Sequence, residues 1–236
     1  MTTKNKKLSF GKGNAKVGDH VYTFSLPAGH TCPFANECLS RADKKTGKIK
    51  DGPQTVFRCF AASMEARMPS VRVSRWNNLD ILRAAGLTDS QAMADLILSS
   101  IPRMAKKIRI HVAGDFFNPE YLRAWIRVAQ ARPDILFYAY TKSVPYVLAE
   151  RGNIPFNLVI TASIGGKADK LINGSGLQSA RVVYSEQEAS FLGLPIDHDD
   201  SHAQRAGGSF ALLIHGTQPK GSKAAKALAE LNKALN

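Results

Sequence analysis

The chain has 236 residues, 44% of them hydrophobic, which is enough to bury one full core; its three cysteines, an odd number, argue against a disulfide framework. Lys and Arg outnumber Asp and Glu by 32 to 19, and the formal charge of +13 favours a polyanionic partner: nucleic acid, DNA in preference to RNA, or a nucleotide. The polar, basic start has no apolar segment behind it and no apolar run nears a bilayer span, so a soluble cytoplasmic protein with no membrane partner is expected.

In chain order, residues 1–18 read as a flexible basic lead and residues 19–236 as one α/β domain. The first strand pattern covers residues 21–26, followed by a loop with two cysteines and a lysine-rich excursion at residues 42–54 that lacks apolar periodicity. Helical patterns follow at residues 59–68 and 90–104, the second capped by Thr88-Asp89-Ser90. Strands at residues 108–112, 135–140, 158–162, 180–184 and 210–214 then alternate with helices at residues 119–131, 145–151, 186–191 and 222–235. Asn118-Pro119-Glu120 is a strong helix start: a capping amide, a proline in the first turn and a carboxylate facing the helix dipole. Alternating βα units predict a mostly parallel sheet, and the class expected is a single-domain partial (β/α)6-type barrel.

Polar residues gather directly after each strand, where ligand sites form in parallel α/β folds. Cys32 and Cys38 are separated by five residues in the first such loop, and Cys59, twenty residues further on, opens a helix whose dipole favours thiolate. With His30 they make two ligand sets. Three thiolates hold three irons of a [4Fe-4S] cluster and leave the fourth open; Cys3His suits a structural zinc. The barrel context favours the cluster.

Asp115 follows Gly114 at the second strand tip, placed to bind an amine, act as a base or attack a sugar carbon, with helix capping as its structural alternative. Alternation along residues 108–112 puts Arg109 and His111 on one face. Ser163 stands at the fourth tip. His215 and Thr217 stand at the sixth, in a small-residue turn able to offer N–H groups to a phosphate. Asp197-His198-Asp199-Asp200-Ser201-His202 is dense in ligand types yet sits where solvated turns are common. Trp76, Phe116, Phe117, Tyr138, Tyr140 and Tyr146 include candidates for base stacking, with packing as the alternative.

Several segments resemble the phage and plasmid gene product 88 family: Leu26-Pro27-Ala28-Gly29-His30-Thr31-Cys32-Pro33, Arg58-Cys59-Phe60-Ala61-Ala62-Ser63-Met64-Glu65-Ala66-Arg67, His111-Val112-Ala113-Gly114-Asp115-Phe116-Phe117, Tyr138-Ala139-Tyr140-Thr141-Lys142-Ser143 and Leu213-Ile214-His215-Gly216-Thr217-Gln218. That resemblance implies a mobile-element origin and carries no activity. More distantly, the order of signals is similar to the radical S-adenosylmethionine superfamily. Its six-stranded partial barrel places three cluster cysteines after strand one, and a Gly-Gly-Glu turn for the methionine amine where Gly114-Asp115 stands here. Thr161-Ala162-Ser163 falls at the corresponding fourth strand. That superfamily separates its cysteines by three and two residues, so the thiols converge here only if the excursion at residues 42–54 loops out.

The resulting expectation is an iron-sulfur, S-adenosylmethionine-using enzyme acting on nucleic acid or a nucleotide. Two alternatives remain. One is a DNA base-exchange enzyme similar to the tRNA-guanine transglycosylases, with Asp115 as nucleophile; the other is a non-catalytic nucleic-acid-binding protein with structural zinc.

Overall fold

The computed structural model describes residues 7–13 and 21–234. Of the expected flexible lead, residues 1–6 and 14–18 lie outside the described residues. Within residues 7–13, Leu8 is packed into the core and a short strand, β1 (Gly11–Lys12), pairs antiparallel with β2 (Val21–Phe24).

From β2 the sheet continues through β5 (Lys107–Ile110), β6 (Leu136–Thr141), β7 (Leu158–Ser163), β8 (Ser179–Val183) and β9 (Phe210–Leu213), all parallel and all in chain order. The result is a mixed α/β fold around a mostly parallel seven-stranded sheet with β1 and β9 at its edges. All six strand patterns read from the sequence are present. Parallel pairing in sequential order leaves the tips of β2 and of β5 to β9 pointing the same way.

Alternation divides each strand between two faces. Phe24, Ile108, Ile110, Phe137, Ala139, Leu158 and Ile160 meet helices α2 (Pro69–Ala85), α3 (Ser90–Ser100) and α4 (Pro119–Ala131) in the main core. Val21, Tyr138, Ala180 and Phe210 form a smaller cluster on the other face. Helix α4 begins as expected: Asn118 Oδ1 accepts the Tyr121 N–H at 2.8 Å, and Tyr121, Leu122, Trp125, Ile126 and Ala129 follow at core spacing. The short helices α5 (Val144–Ala149) and α6 (Glu186–Phe191) and the twelve-residue α7 (Lys223–Ala234) complete the βα alternation.

Two elements escaped the sequence reading. The excursion at residues 42–54 is largely a hairpin, β3 (Ser40–Ala42) and β4 (Ile49–Asp51), turned by Asp43, whose Oδ1 accepts the N–H groups of Lys45 and Thr46. Helix α2 was hidden because its buried face is polar in its first half: Arg72, Arg75 and Asn78 are all buried there. Their side chains donate to backbone carbonyls, Arg72 to Glu65 and Lys44, Arg75 to Ala61, and Asn78 to Ser9 and Ser25, so polar side chains do the packing that an apolar stripe normally signals.

The tip of the last strand returns to the helix that follows the first. Gln218 donates to the Arg58 and His215 carbonyls at 3.1 and 3.0 Å and accepts the Arg58 N–H at 2.8 Å, just before α1 (Phe60–Arg67). Gly216, at φ +77°, lies so close to α1 that a Cβ there would stand 2.5 Å from Phe60 Cβ. Gly216→Ala combines left-handed strain with that clash, and is expected to cost about 2 kcal/mol or more. Urea unfolding checks it: an unchanged midpoint would mean that this turn is not held against α1.

Candidate functional site

Strand β2 runs into Leu26-Pro27-Ala28-Gly29, and the chain then crosses the ends of β5 and β6 to reach β7. It is held there by backbone pairing: the Glu37 N–H donates to the Gly165 carbonyl at 3.0 Å, the Lys167 N–H to the Phe34 carbonyl at 2.9 Å, and Ala35 bridges Gly166. Asp169 fixes the receiving turn by accepting the Gly165 and Gly166 N–H groups, both at 2.8 Å. Gly165 is needed at φ +97°, because a Cβ would press on the Glu37 carboxylate. The Glu37 carbonyl in turn accepts the Val56 and Phe57 N–H groups, which draws the segment leading to Cys59 alongside Cys38.

Cys32, Cys38 and Cys59 are thus brought into electrostatic reach of one another, all as free thiols and all half-buried. Burial pushes each thiol above its ordinary value. Asp115, Cys59 and Cys38 add to the rise at Cys32, while Cys38 adds to the rise of Cys59 to about 11. Backbone groups pull the other way: the Gly29 N–H donates to Cys32 Sγ at 3.3 Å, and the N–H groups of Ala61 and Ala62 at the start of α1 favour the Cys59 thiolate. Cys59 is the N-cap of α1, as its position in the sequence predicts.

A buried ion pair supports the loop from below. Glu65 of α1 accepts the Ala28 N–H at 2.9 Å and Arg75 Nη1 at 2.8 Å through the same oxygen, and its Oε2 has no partner. Arg58, beside Cys59, grips Asp51 of β4 through Nε and Nη2. Glu65 carried no signal in the sequence beyond an acidic residue inside a helix, and Arg75 lies in α2, which the sequence did not reveal.

Asp115 lies at the same end of the sheet. Its Oδ1 accepts the Phe116 N–H at 2.7 Å and the Thr141 hydroxyl at 2.5 Å, and its Oδ2 accepts the Lys142 N–H at 2.9 Å, which ties the tips of β5 and β6 together. Burial outweighs these bonds and pushes the carboxyl up to about 6. Gly114, at φ +86°, lets this turn pack on Thr31 and Leu26, where a Cβ would meet Thr31 Oγ1 at 2.6 Å. Ser163 Oγ accepts from Lys142 Nζ at 2.7 Å. The buried Lys142 was passed over in the sequence, although it stood in the third strand-tip triplet.

Other expected residues lie apart from this group. His30 is exposed, its Nε2 3.0 Å from the Ala42 carbonyl and its ring against Trp76. His215 packs on Phe60, and Thr217 accepts from Arg67 Nη1 at 3.0 Å, both at the rim. Among the described residues no three His, Cys, Asp or Glu side chains are grouped to hold a single metal ion.

One expectation from the strand pattern is corrected. His111 does not share a face with Arg109: at φ +67° it leaves the strand and meets the Tyr121 hydroxyl of α4 at 3.0 Å, and burial holds it neutral with a pKa near 3, lowered to about 3. Arg109 instead pairs with Asp200 at 2.6 Å on the opposite face, where the Tyr138 and Tyr140 hydroxyls also reach Asp200. That places Asp200, from the acidic and histidine-rich segment, in a buried network; His202 is 3.7 Å from Asp197. Among the stacking candidates, Phe116 and Tyr138 are fully buried and Phe117 stacks on Tyr121 at 4.4 Å, so these three pack the interior; Trp76, Tyr140 and Tyr146 are half-buried. No helix among the described residues is long and apolar enough to cross a membrane.

A family model described as "Gene product 88" matches residues 1–232. Among curated proteins, the "Gene 88 protein" of Mycobacterium phage L5 is 33% identical over 138 residues, covering 55% of this chain and 51% of its own length. The "Gene 88 protein" of Mycobacterium phage D29 is likewise 33% identical over 138 residues, covering 55% of this chain and 50% of its own. The chain therefore spans about half the length of the curated relatives it matches. No solved structure matches.

The raised carboxyl of Asp115 has a consequence for stability. Its unfolded value is about 3.9, so the folded protein binds the proton more tightly, and the stabilisation this gives is complete below about pH 4 and is lost as pH rises through about 6. Against Asp115→Asn, which cannot ionise, the wild type is expected to lose about 2 kcal/mol more between pH 4 and pH 7. Parallel unfolding curves for the two proteins across that range would contradict it.

Proposed function

The chain belongs to the Gene product 88 family, and from its site we propose that it is an iron-sulfur enzyme acting on nucleic acid or a nucleotide, with Cys32, Cys38 and Cys59 as ligands of a [4Fe-4S] cluster. The observation that carries this reading is that three free thiols, two from one loop and one from a helix start, lie within electrostatic reach of one another at the tips of parallel strands. Their donor chemistry fits. Sulfur ligands of a cluster each bind a separate iron and accept N–H bonds, as the N–H groups at Cys32 and Cys59 allow. A single zinc ion needs Zn–S bonds of about 2.3 Å and therefore sulfurs drawn tightly together, and among the described residues no such group of three ligands exists.

Bound there, the cluster would supply single electrons and, at its fourth iron, an open position for S-adenosylmethionine. Asp115 is placed to accept the amine of that cofactor, Gly114 gives the turn room, and Ser163 and Lys142 define the adjoining wall. His215 and Thr217, with Arg67 beside them, suit a phosphate at the rim. Strands in sequential order, with the β9 tip returned to α1, support a partial barrel.

Anaerobic reconstitution with iron and sulfide is expected to give a brown protein, and Cys→Ala at any one of positions 32, 38 and 59 to abolish iron loading to the same degree. Three independent partial losses, or zinc alone bound, would contradict the cluster. The formal charge of +13 further predicts that single- or double-stranded DNA binds at low salt and weakens by tenfold or more towards physiological salt, through counterion release. Binding that does not change with salt would remove nucleic acid as the partner.

A further inference from the structure

Between residues 41 and 51 the β3–β4 hairpin carries five cations, Arg41, Lys44, Lys45, Lys48 and Lys50, against two carboxylates, Asp43 and Asp51. Both carboxylates are already engaged. Asp43 Oδ1 accepts the N–H groups of Lys45 and Thr46 at 3.0 and 2.7 Å, and Asp51 is gripped by Arg58. Lys44 pairs with Asp80 at 2.7 Å. Arg41, Lys45, Lys48 and Lys50 are exposed and have no carboxylate within ion-pair distance among the described residues.

The fold holds these charges together against their repulsion. Arg41 stands directly opposite Lys50 in the antiparallel pairing, where like charges destabilise a hairpin. Their strand neighbours turn inward: Ala42 is fully buried, and Ile49 joins the cluster of Ala61 and Ala62 in α1. The turn is fastened as well. The buried Arg72 of α2 donates to the Lys44 and Lys45 carbonyls at 3.2 and 3.4 Å, and Gly47, at φ +73°, permits the approach, since a Cβ there would stand 2.6 Å from Arg72 Nη1. At the other end of the row, Arg41 Nε donates to the Gly29 carbonyl at 3.0 Å, so the basic face begins where the cysteine loop begins.

Resting on the nucleic-acid reading above and on no metal or cluster, we propose that the exposed face of this hairpin is the surface that holds the phosphate backbone of DNA, through Arg41, Lys45, Lys48 and Lys50. Each cation that neutralises a phosphate releases a condensed counterion, and phosphates seated between Arg41 and Lys50 cancel the repulsion that the free protein carries. A hairpin fixed at its strands and its turn loses little backbone freedom on binding. Contacts of this kind position the DNA beside the strand tips without reading its sequence.

The test compares two triple variants that lose the same charge. One is K45Q/K48Q/K50Q; the other is R103Q/K106Q/K233Q, whose exposed cations lie just before β5, at the end of the sheet away from the strand tips, and near the end of α7. Binding of a short fluorescent duplex DNA is followed by anisotropy across a range of salt. The hairpin triple is expected to bind about tenfold or more weaker at low salt, with a dependence of log affinity on log salt shallower by about 2 to 3, while the other triple keeps the wild-type slope. In urea the hairpin triple should unfold at the wild-type midpoint or above it, because repulsion is relieved. Equal losses in the two triples would overturn this inference and leave DNA as the partner. Lost binding with a lowered midpoint would assign the lysines to the fold and also overturn it. A wild type that binds no DNA at low salt would overturn the nucleic-acid reading and this inference with it.

Discussion

Everything at the candidate site depends on a peptide segment being held across the ends of strands to which it does not belong. The loop leaving β2 carries Cys32 and Cys38 and would otherwise lie at the sheet's edge; the pairing of Phe34 to Glu37 with Gly165 to Lys167 fastens it to the tip of β7 instead. Two glycines allow the approach and Asp169 keeps their turn in shape. Once that crossing is made, Glu37 also receives the chain on its way to Cys59, and thiols separated by five and twenty residues come within electrostatic reach of one another.

Charge placement follows from the same crossing. A loop lying over strand tips buries polar groups, and each buried group must find partners. Glu65 and Arg75 neutralise one another beneath Ala28, Asp115 gathers three donors, and Lys142 gathers three acceptors. On the face of the sheet away from the main core, Arg109 and Asp200 pair in the same manner, and they leave the cysteine end of the sheet to Asp115 and Lys142. Removing one member of the Glu65–Arg75 pair would strand a charge in the interior, an effect of about 3–5 kcal/mol in comparable buried pairs.

The strands were legible because each is an apolar run ended by polar residues, and the strand-tip argument then put Cys32, Asp115, Ser163 and His215 at one end without knowledge of any contact. Helix α2 was not legible, since Arg72, Arg75 and Asn78 occupy the positions an apolar stripe would fill. Period-two alternation misplaced His111 because a left-handed residue there ends the strand at Ile110, two positions short of the expected end, and nothing in a histidine's identity announces that. Lys142 drew no reading of its own from the sequence; only the oxygens of Ser163 and Ile164, contributed by the neighbouring strand's end, make it a buried, hydrogen-bonded side chain. Tertiary partners of this kind have no local signal.

The central claim is that three cysteines serve one iron-sulfur group. Anomalous diffraction at the iron absorption edge, from crystals of anaerobically reconstituted protein, tests it most directly. The account predicts a single strong iron peak bounded by the sulfurs of Cys32, Cys38 and Cys59, with Asp115 on its open side. No iron peak, or iron bound away from these three sulfurs, would contradict it.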